Sequence, residues 1–258
     1  MKDVKVLVAA HKQYQMPKDD MYLPIHVGAL GKESIGYQGD HEGDHISDRN
    51  NQFCELTALY WGWKNLDSDY LGLAHYRRHF KGKKKSKDAF ETVITHQEVS
   101  ELLDKTDIIV TKKRQYYIEN IYDHYAHTLY VETLDKAKEV IEHMYPEYIS
   151  SFNECMKHTH MHAFNMFIMK KELLDEYCEW LFNILFEVTE QLKDKEYTPF
   201  HARYPGRVSE LLLDVWLHHK GYDYKEVPFV YMEPISKVKK VISFLSAKFF
   251  KKKYGGSF

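Results

Sequence analysis

The stretch SDYLGLAHYRRHF, Ser68 to Phe80, decides how the chain is read. Tyr70 to Ala74 is apolar, and the run stops at His75-Tyr76-Arg77-Arg78-His79. A short apolar segment bounded by polar residues reads as a buried strand, placed here over Ser68–His75. Two arginines at its end make either a solvated strand end with an internal salt bridge or an anion site. A guanidinium stays charged and offers a planar fork that matches phosphate oxygens. On extended backbone, adjacent side chains point to opposite sides. One arginine could therefore hold an anion while the other pairs with a core carboxylate.

Working outward, Val4–Ala10 reads as a buried first strand. Residues 11–50 read as irregular, carrying Pro17, Pro24, Gly28, Gly31, Gly36, Gly39 and Gly43. A loop that long inside a domain is usually functional. Asn50–Leu66 reads as a helix, because Phe53, Leu56, Tyr60 and Trp63 recur at spacings of three and four. Beyond the arginines, Lys81–Lys87 is a basic loop in which five of seven residues are lysine. Further helices are expected at Gln97–Leu103, through much of 115–148, at Lys171–Leu192 and at Ser209–His219. Further strands are expected at Asp107–Thr111, Phe164–Met169 and Pro228–Tyr231. Strands alternating with helices imply an α/β sheet with helices on both faces. Ligands of such sheets bind beyond the carboxyl ends of strands. His11 and the His75–Arg78 cluster then share one rim.

Composition narrows the class. Hydrophobic residues at 44% and charged residues at 29% suit a soluble globular protein. The 20 tyrosines tilt the surface toward flat or amphipathic ligands such as sugars and bases. A net charge of −2 argues against a nucleic-acid partner. Cys54, Cys155 and Cys178 are sparse and form no CxxC, which favours a reducing compartment over a disulfide scaffold or zinc site. The apolar start, Val6–Ala10, is too short for a signal-peptide core or a membrane span, so a cytoplasmic location is expected.

Residues 236–258 differ from the rest: they contain seven lysines and no Asp or Glu. Val238, Val241, Ile242, Leu245 and Phe249 fall in an arc of about 100° on a helical wheel. That pattern predicts a basic amphipathic helix at the inner face of the plasma membrane, held by anionic lipid. A helix docked on its own domain and a disordered tail are the alternatives. The expected division is a folded domain over 1–235 and this tail over 236–258.

Four further features bear on chemistry. In Gly43–Asn65, the residues Ser47, Asp48, Asn50 and Asn51 can cap a helix, and Glu55 one turn in can answer the helix dipole or partner an arginine. His158-x-His160-x-His162 on a strand would share a face and could bind metal, although with no Asp or Glu inside the stretch a polar strand edge or a ligand contact is the preferred reading. Pro205-Gly206 reads as a turn leading into a helix, with Ser209 as cap. Glu210 in its first turn is then either dipole compensation or a general base. No P-loop, GxGxxG, HExxH or GxSxG occurs. The single Asp-x-Asp, Asp67-Ser68-Asp69, precedes the strand and does not end it.

Taken together, several segments resemble the DUF4422 family, found in bacterial capsule and exopolysaccharide clusters and regarded as glycosyltransferases. They are AAHK (Ala9–Lys12), YLPIHVGAL (Tyr22–Leu30), GDHISDRNNQFCELTALYWGWKN (Gly43–Asn65), YLGLAHYRRHF (Tyr70–Phe80), FNMFIMKKELLDEYCEWLF (Phe164–Phe182) and RVSELLLDVWL (Arg207–Leu217). The resemblance spans roughly residues 4–232. It departs at His45, where Asn is expected, and at His79, where an aromatic is expected.

The resemblance implies a GT-A-like, Rossmann-type mixed sheet flanked by helices that binds a nucleotide sugar, expected to be UDP-linked. In that fold the corresponding strand normally ends in Asp-x-Asp, which holds a divalent cation on the donor diphosphate. Here Arg77 and Arg78 stand at that place, so metal-independent donor binding is expected, with Mg²⁺ or Mn²⁺ as the alternative. By position, Ala10, His11, Lys12, Tyr22 and Gly28 are expected at the nucleoside, and His75, Tyr76, Arg77, Arg78 and Glu55 around the donor. Asn165 and Arg203 are expected at the sugar, and Glu210 as the base of an inverting transfer. UDP-galactofuranose is a candidate donor, and a saccharide or polyprenyl-linked molecule the acceptor. The competing class is a non-catalytic carbohydrate- or nucleotide-binding module of the same fold.

Overall fold

The computed structural model describes residues 2–233. The basic segment at 236–258 lies outside them. The described chain forms two compact units, one from residues 2–112, 162–179 and 222–233, the other from 113–161 and 180–221.

In chain order the elements are β1 (Val4–Ala10), β2 (Tyr22–His26), β3 (Gln38–Gly39), α1 (Asn50–Phe53), α2 (Leu56–Asn65), β4 (Tyr70–His75), β5 (Arg78–Phe80), α3 (His96–Leu103), β6 (Ile108–Thr111), β7 (Arg114–Gln115), α4 (Ile121–Thr128), α5 (Glu132–Met144), α6 (Ile149–Lys157), β8 (His160–Met161), β9 (Phe167–Lys170), α7 (Lys171–Gln191), α8 (Tyr204–Lys220), β10 (Lys225–Val227) and β11 (Phe229–Tyr231).

The first unit is built on a mixed sheet in the order β10-β6-β9-β4-β1-β2-β3, with β5 joining β4 to β11. β1 is parallel to both β2 and β4, with Ala10 opposite His26 and Ala9 opposite His75. Three strands therefore end together, and Ala10, His26 and His75 form one rim. β9 runs antiparallel between β4 and β6. On one face α2 packs against β1 and β4. Gly62 permits the approach, since a Cβ there would lie 2.4 Å from Leu7 Cδ1. On the other face Val6, Val8, Tyr70 and Ala74 pack with Ile94, Val99 and Leu103. Burial on both faces explains why these strands read as apolar runs and not as alternating ones.

Four departures from the sequence reading matter. The segment 11–50 is not wholly irregular. It holds β2, whose Pro24 sits just before the two-residue pairing of β2 with β3 begins, so its missing N–H leaves no gap in that ladder. The expected helix 50–66 is two helices broken at Cys54, which adopts φ 52°, ψ −125°. The helix expected from Ser209 starts at Tyr204, because Pro205 suits a first turn whose N–H groups are unpaired anyway. Ser209 is then interior and donates to the Gly206 carbonyl at 2.8 Å, while Glu210 lies beyond the first turn. Neither is a cap, and the dipole explanation for Glu210 falls. Lastly, His158, His160 and His162 do not share a strand face, because β8 contains only His160 and Met161.

The second unit is mainly helical. α4, α5, α6 and α8 pack around Leu134, Ile141, Phe152, Leu212 and Trp216, and the β7–β8 pair lies alongside in sequence. Gly221, at φ 64°, ends α8 in the left-handed conformation that closes helices. Among the described residues, no helix is long and apolar enough to cross a membrane.

Candidate functional site

β4 does not simply end at the arginines. His75 pairs antiparallel with Arg78, so Tyr76 and Arg77 are the turn of a tight hairpin. The turn is held from both sides. Tyr76 N–H donates to the Ala9 carbonyl at 3.2 Å, and Met232 N–H donates to the Arg77 carbonyl at 3.0 Å. β11 pairs with β5, setting Tyr231 opposite Arg78. The backbone carrying both guanidiniums is thus fixed before any ligand arrives.

The internal salt bridge left open as an alternative is not found: among the described residues neither Arg77 nor Arg78 pairs with a carboxylate. Each has its Nε buried without a hydrogen-bond partner among those residues. The Arg78 guanidinium lies 4.3 Å from the Phe164 ring centroid and 5.8 Å from that of Tyr231, and Arg77 lies 5.4 Å from that of Tyr76. Stacking on a ring supports a guanidinium without occupying its N–H edge. A buried N–H left unpaired costs about 1–3 kcal/mol. Both arginines therefore offer unsatisfied donors to an anion.

His75 keeps the turn from becoming more cationic. Burial, and then the charges of Arg78 and Arg77, hold its pKa well below the usual imidazole value. It is neutral at physiological pH. Its Nδ1 accepts from Arg77 N–H at 3.2 Å, which leaves the ring proton on Nε2.

Tyr76 is the hub of the rim. His11 meets it edge-on at 5.2 Å and Tyr14 at 5.0 Å, and Lys12 Nζ lies 5.6 Å from its centroid. These residues follow directly from Ala10 at the end of β1. The structure therefore brings Ala10, His11, Lys12, His75, Tyr76, Arg77 and Arg78 together. Tyr14 joins them without having been singled out, and its position four residues past the strand end was the available signal.

Gly28 and Tyr22 have other places. Gly28 lies just past β2 at φ 63°, and a Cβ would meet Asn50 Oδ1 at 2.6 Å. Its N–H donates to Asp40 Oδ2 at 2.7 Å, and Ala29 N–H to Asp40 Oδ1 at 3.0 Å. The Ser47 hydroxyl also donates to the buried Asp40 carboxylate. Gly28 thus shapes the loop, and its donor is already occupied. Asp40, missed in the sequence, is the loop's internal anchor. Tyr22 opens β2, at the strand end away from the rim. It is buried, and its hydroxyl donates to the Ile94 carbonyl at 2.8 Å. The structure does not bring it to the nucleoside position expected for it.

Glu55 and Asn165 meet directly. Asn165 Nδ2 donates to Glu55 Oε1 at 2.9 Å. Both flanks carry non-glycine residues in the left-handed region: Cys54 at φ 52°, Phe164 at φ 76° and Asn165 at φ 53°. Phe164 is also the ring beneath Arg78. Such conformations cost on the order of 1–3 kcal/mol each and cluster at functional sites.

Arg203 and Glu210 belong to the second unit. Arg203 closes the short turn His201–Arg203 that leads into α8. Glu210 lies on α8 near Tyr125. Burial pushes the Tyr125 hydroxyl up to about 12, with Glu210 acting in the same direction and Thr133 and Arg207 opposing.

The residues at the end of β4 do not fit a divalent cation: two guanidiniums stand where carboxylates would be needed. The Asp-x-Asp lies at the start of β4, where Asp69 Oδ2 accepts from Asp3 N–H at 2.9 Å. Of the histidine triplet, His162 Nε2 lies 3.2 Å from Glu226 Oε1, and His158 stacks on His160 at 5.1 Å. Among the described residues, no group of three or more His, Cys, Asp or Glu is arranged to hold a metal ion.

The family described as domain of unknown function DUF4422 matches residues 5–221. The apo structure of WbbM, a bifunctional glycosyltransferase, matches with a TM-score of 0.83 at 28% identity. The match covers 90% of this chain and 46% of that one, so the chain spans about half the length of the protein it resembles. The mixed sheet flanked by helices is a GT-A-like fold. No curated protein matches the chain.

Proposed function

The chain belongs to the DUF4422 family, and from that premise we propose that it is a glycosyltransferase moving a sugar from a nucleotide-sugar donor to a saccharide or lipid-linked acceptor. The observation that carries the proposal is the pair Arg77 and Arg78. Both sit on a pinned hairpin at the rim of the sheet, with buried Nε groups that have no partner among the described residues and no paired carboxylate.

In such a transfer the bond from the anomeric carbon to the diphosphate oxygen breaks, and a bond to the acceptor oxygen forms. Negative charge grows on the departing nucleoside diphosphate. Cationic groups fixed in advance stabilise that charge without reorganising during the reaction. Arg77 and Arg78 supply this without Mg²⁺ or Mn²⁺, and neutral His75 adds no charge of its own. The acceptor hydroxyl must lose a proton, and Glu210 is the proposed base of an inverting reaction. Tyr76, with His11, Lys12 and Tyr14 around it, provides the surface for the nucleoside. The proposed nucleotide is UDP, with UDP-galactofuranose as the first donor to try.

The test is a donor screen with UDP-, GDP-, CMP- and dTDP-sugars, with and without Mn²⁺, followed by transfer and hydrolysis assays in excess EDTA. Turnover in EDTA is expected. Full dependence on added metal would reject the role given to the arginines. Donor binding with neither transfer nor hydrolysis would make the chain a binding module instead.

A further inference from the structure

We infer that Glu55, held by Asn165, reads the hydroxyl groups of the donor's sugar; this rests on the donor-site proposal above and extends it from the diphosphate to the sugar. Glu55 lies in the break between α1 and α2 and caps neither helix with its side chain. Asn165 occupies one carboxylate oxygen, Oε1, at 2.9 Å. Oε2 has no hydrogen-bond partner among the described residues, and the side chain is only half-buried. An ionised carboxylate accepts and never donates. Its free oxygen therefore suits a hydroxyl donor and repels a phosphate.

The neighbourhood supplies the complementary half. Phe164, next to Asn165, lies under the Arg78 guanidinium at 4.3 Å. A cation that suits a diphosphate and an acceptor that suits hydroxyls are thus linked through one strained turn, Phe164–Asn165. A nucleotide sugar carries those two chemistries side by side. The strain supports the assignment. One hydrogen bond contributes about 1 kcal/mol. Left-handed Cys54 and Phe164 together cost more than that bond returns. A clamp needed only for stability would not be built this way.

The test compares two probes, UDP-galactofuranose and UDP, by calorimetric titration on the wild-type chain and on Glu55→Gln. The substitution keeps the acceptor facing Asn165 but can turn the free oxygen into an NH₂ donor. Binding of the sugar nucleotide is expected to weaken about 10- to 100-fold, with UDP binding unchanged. Asn165→Gly is the second variant: glycine keeps the positive φ at no steric cost, removes the amide, and should show the same split. Thermal unfolding confirms that each variant is folded. Equal weakening for both probes, or no weakening for either, overturns the inference and leaves the donor site standing. A wild-type chain that binds neither probe overturns the UDP-linked donor site, and this inference with it.

Discussion

His79 offers a sharp test of how the arginine hairpin is packed. It lies on β5, fully buried, one residue past Arg78. Both ring nitrogens are without a hydrogen-bond partner among the described residues. Its neighbours are rings: Tyr22 meets it edge-on at 5.6 Å, and Phe90 lies at 6.4 Å. Burial alone lowers its pKa from 6.5 to about 4. The folded chain therefore resists protonating a residue that the unfolded chain protonates readily. The sign follows from proton counts. Between pH 6.5 and about 4 the unfolded state binds more protons, so stability is intact above 6.5 and falls as pH falls. The full loss is about 3 kcal/mol, and about 2 kcal/mol of it appears between roughly pH 7 and pH 5.

The perturbation is His79→Phe, which installs the aromatic that the family resemblance leads one to expect. It removes two unpaired polar atoms, worth about 1–3 kcal/mol each when buried. It also adds volume between Tyr22 and Phe90, at a cost of about 1–3 kcal/mol if the rings cannot yield. The sign at neutral pH depends on which of these dominates. The pH dependence does not. Urea unfolding of both proteins near pH 7 and near pH 5 should show the wild type losing about 2 kcal/mol more than the variant. Histidines elsewhere, such as His75 and His124, titrate in both proteins and largely cancel in the comparison. Equal losses in the two proteins would show that His79 reaches solvent or finds a partner, and the packing behind the hairpin would have to be redrawn.

Arg78→Ala and Arg77→Ala should each lower kcat/KM for transfer by on the order of 100-fold, with Arg78→Lys restoring little because a point charge cannot replace a stacked fork; steady-state kinetics in EDTA decide this, and unchanged rates would dismiss the pair. Glu210→Gln should abolish turnover while leaving donor affinity intact, measured by the same assay beside a binding titration, and near-normal activity would remove Glu210 from the reaction. Truncation after Pro234 deletes a segment with seven lysines and no acid. Each lysine near an anionic leaflet contributes on the order of 1 kcal/mol. The truncated protein should therefore move from the membrane to the soluble fraction on cell fractionation, and no shift would count against a membrane role.

What was legible in the sequence follows from burial. β1 and β4 are covered on both faces, so they appear as uninterrupted apolar runs, and α2 shows its stripe because it packs on them. Strands with few residues or exposed flanks carry no such mark. β3, β5, β7 and β10, of two or three residues each, were missed for that reason. β2 was missed because Pro24 and the glycines around it read as loop, and with β5 went the recognition that Arg77 and Arg78 lie on a hairpin. The arginines themselves were visible as a cluster. That neither has a carboxylate partner among the described residues was not, because partners come from segments distant in sequence. Asp40 was hidden likewise: its partners at Gly28, Ala29 and Ser47 meet it only when the loop closes.

The two clearest failures of periodicity coincide in space, and this is informative. One was the unbroken helix across residues 50–66, defeated by Cys54 at φ 52°. The other was the strand begun at Phe164, defeated by Phe164 at φ 76° and Asn165 at φ 53°. Helical spacing and β-propensity assume that each residue takes its cheapest backbone, and these three do not. Asn165 is the donor of one hydrogen bond, to Glu55, and Phe164 and Cys54 stand next to its two ends. Independent errors would scatter along the chain. Errors meeting at one contact mark a place where the fold holds costly local geometry for something other than stability, as expected where a site breaks the local rules kept elsewhere. The arginines sit at the other side of Phe164. The strain and the unpaired guanidinium donors therefore lie side by side, which is the arrangement the proposed nucleotide-sugar site calls for.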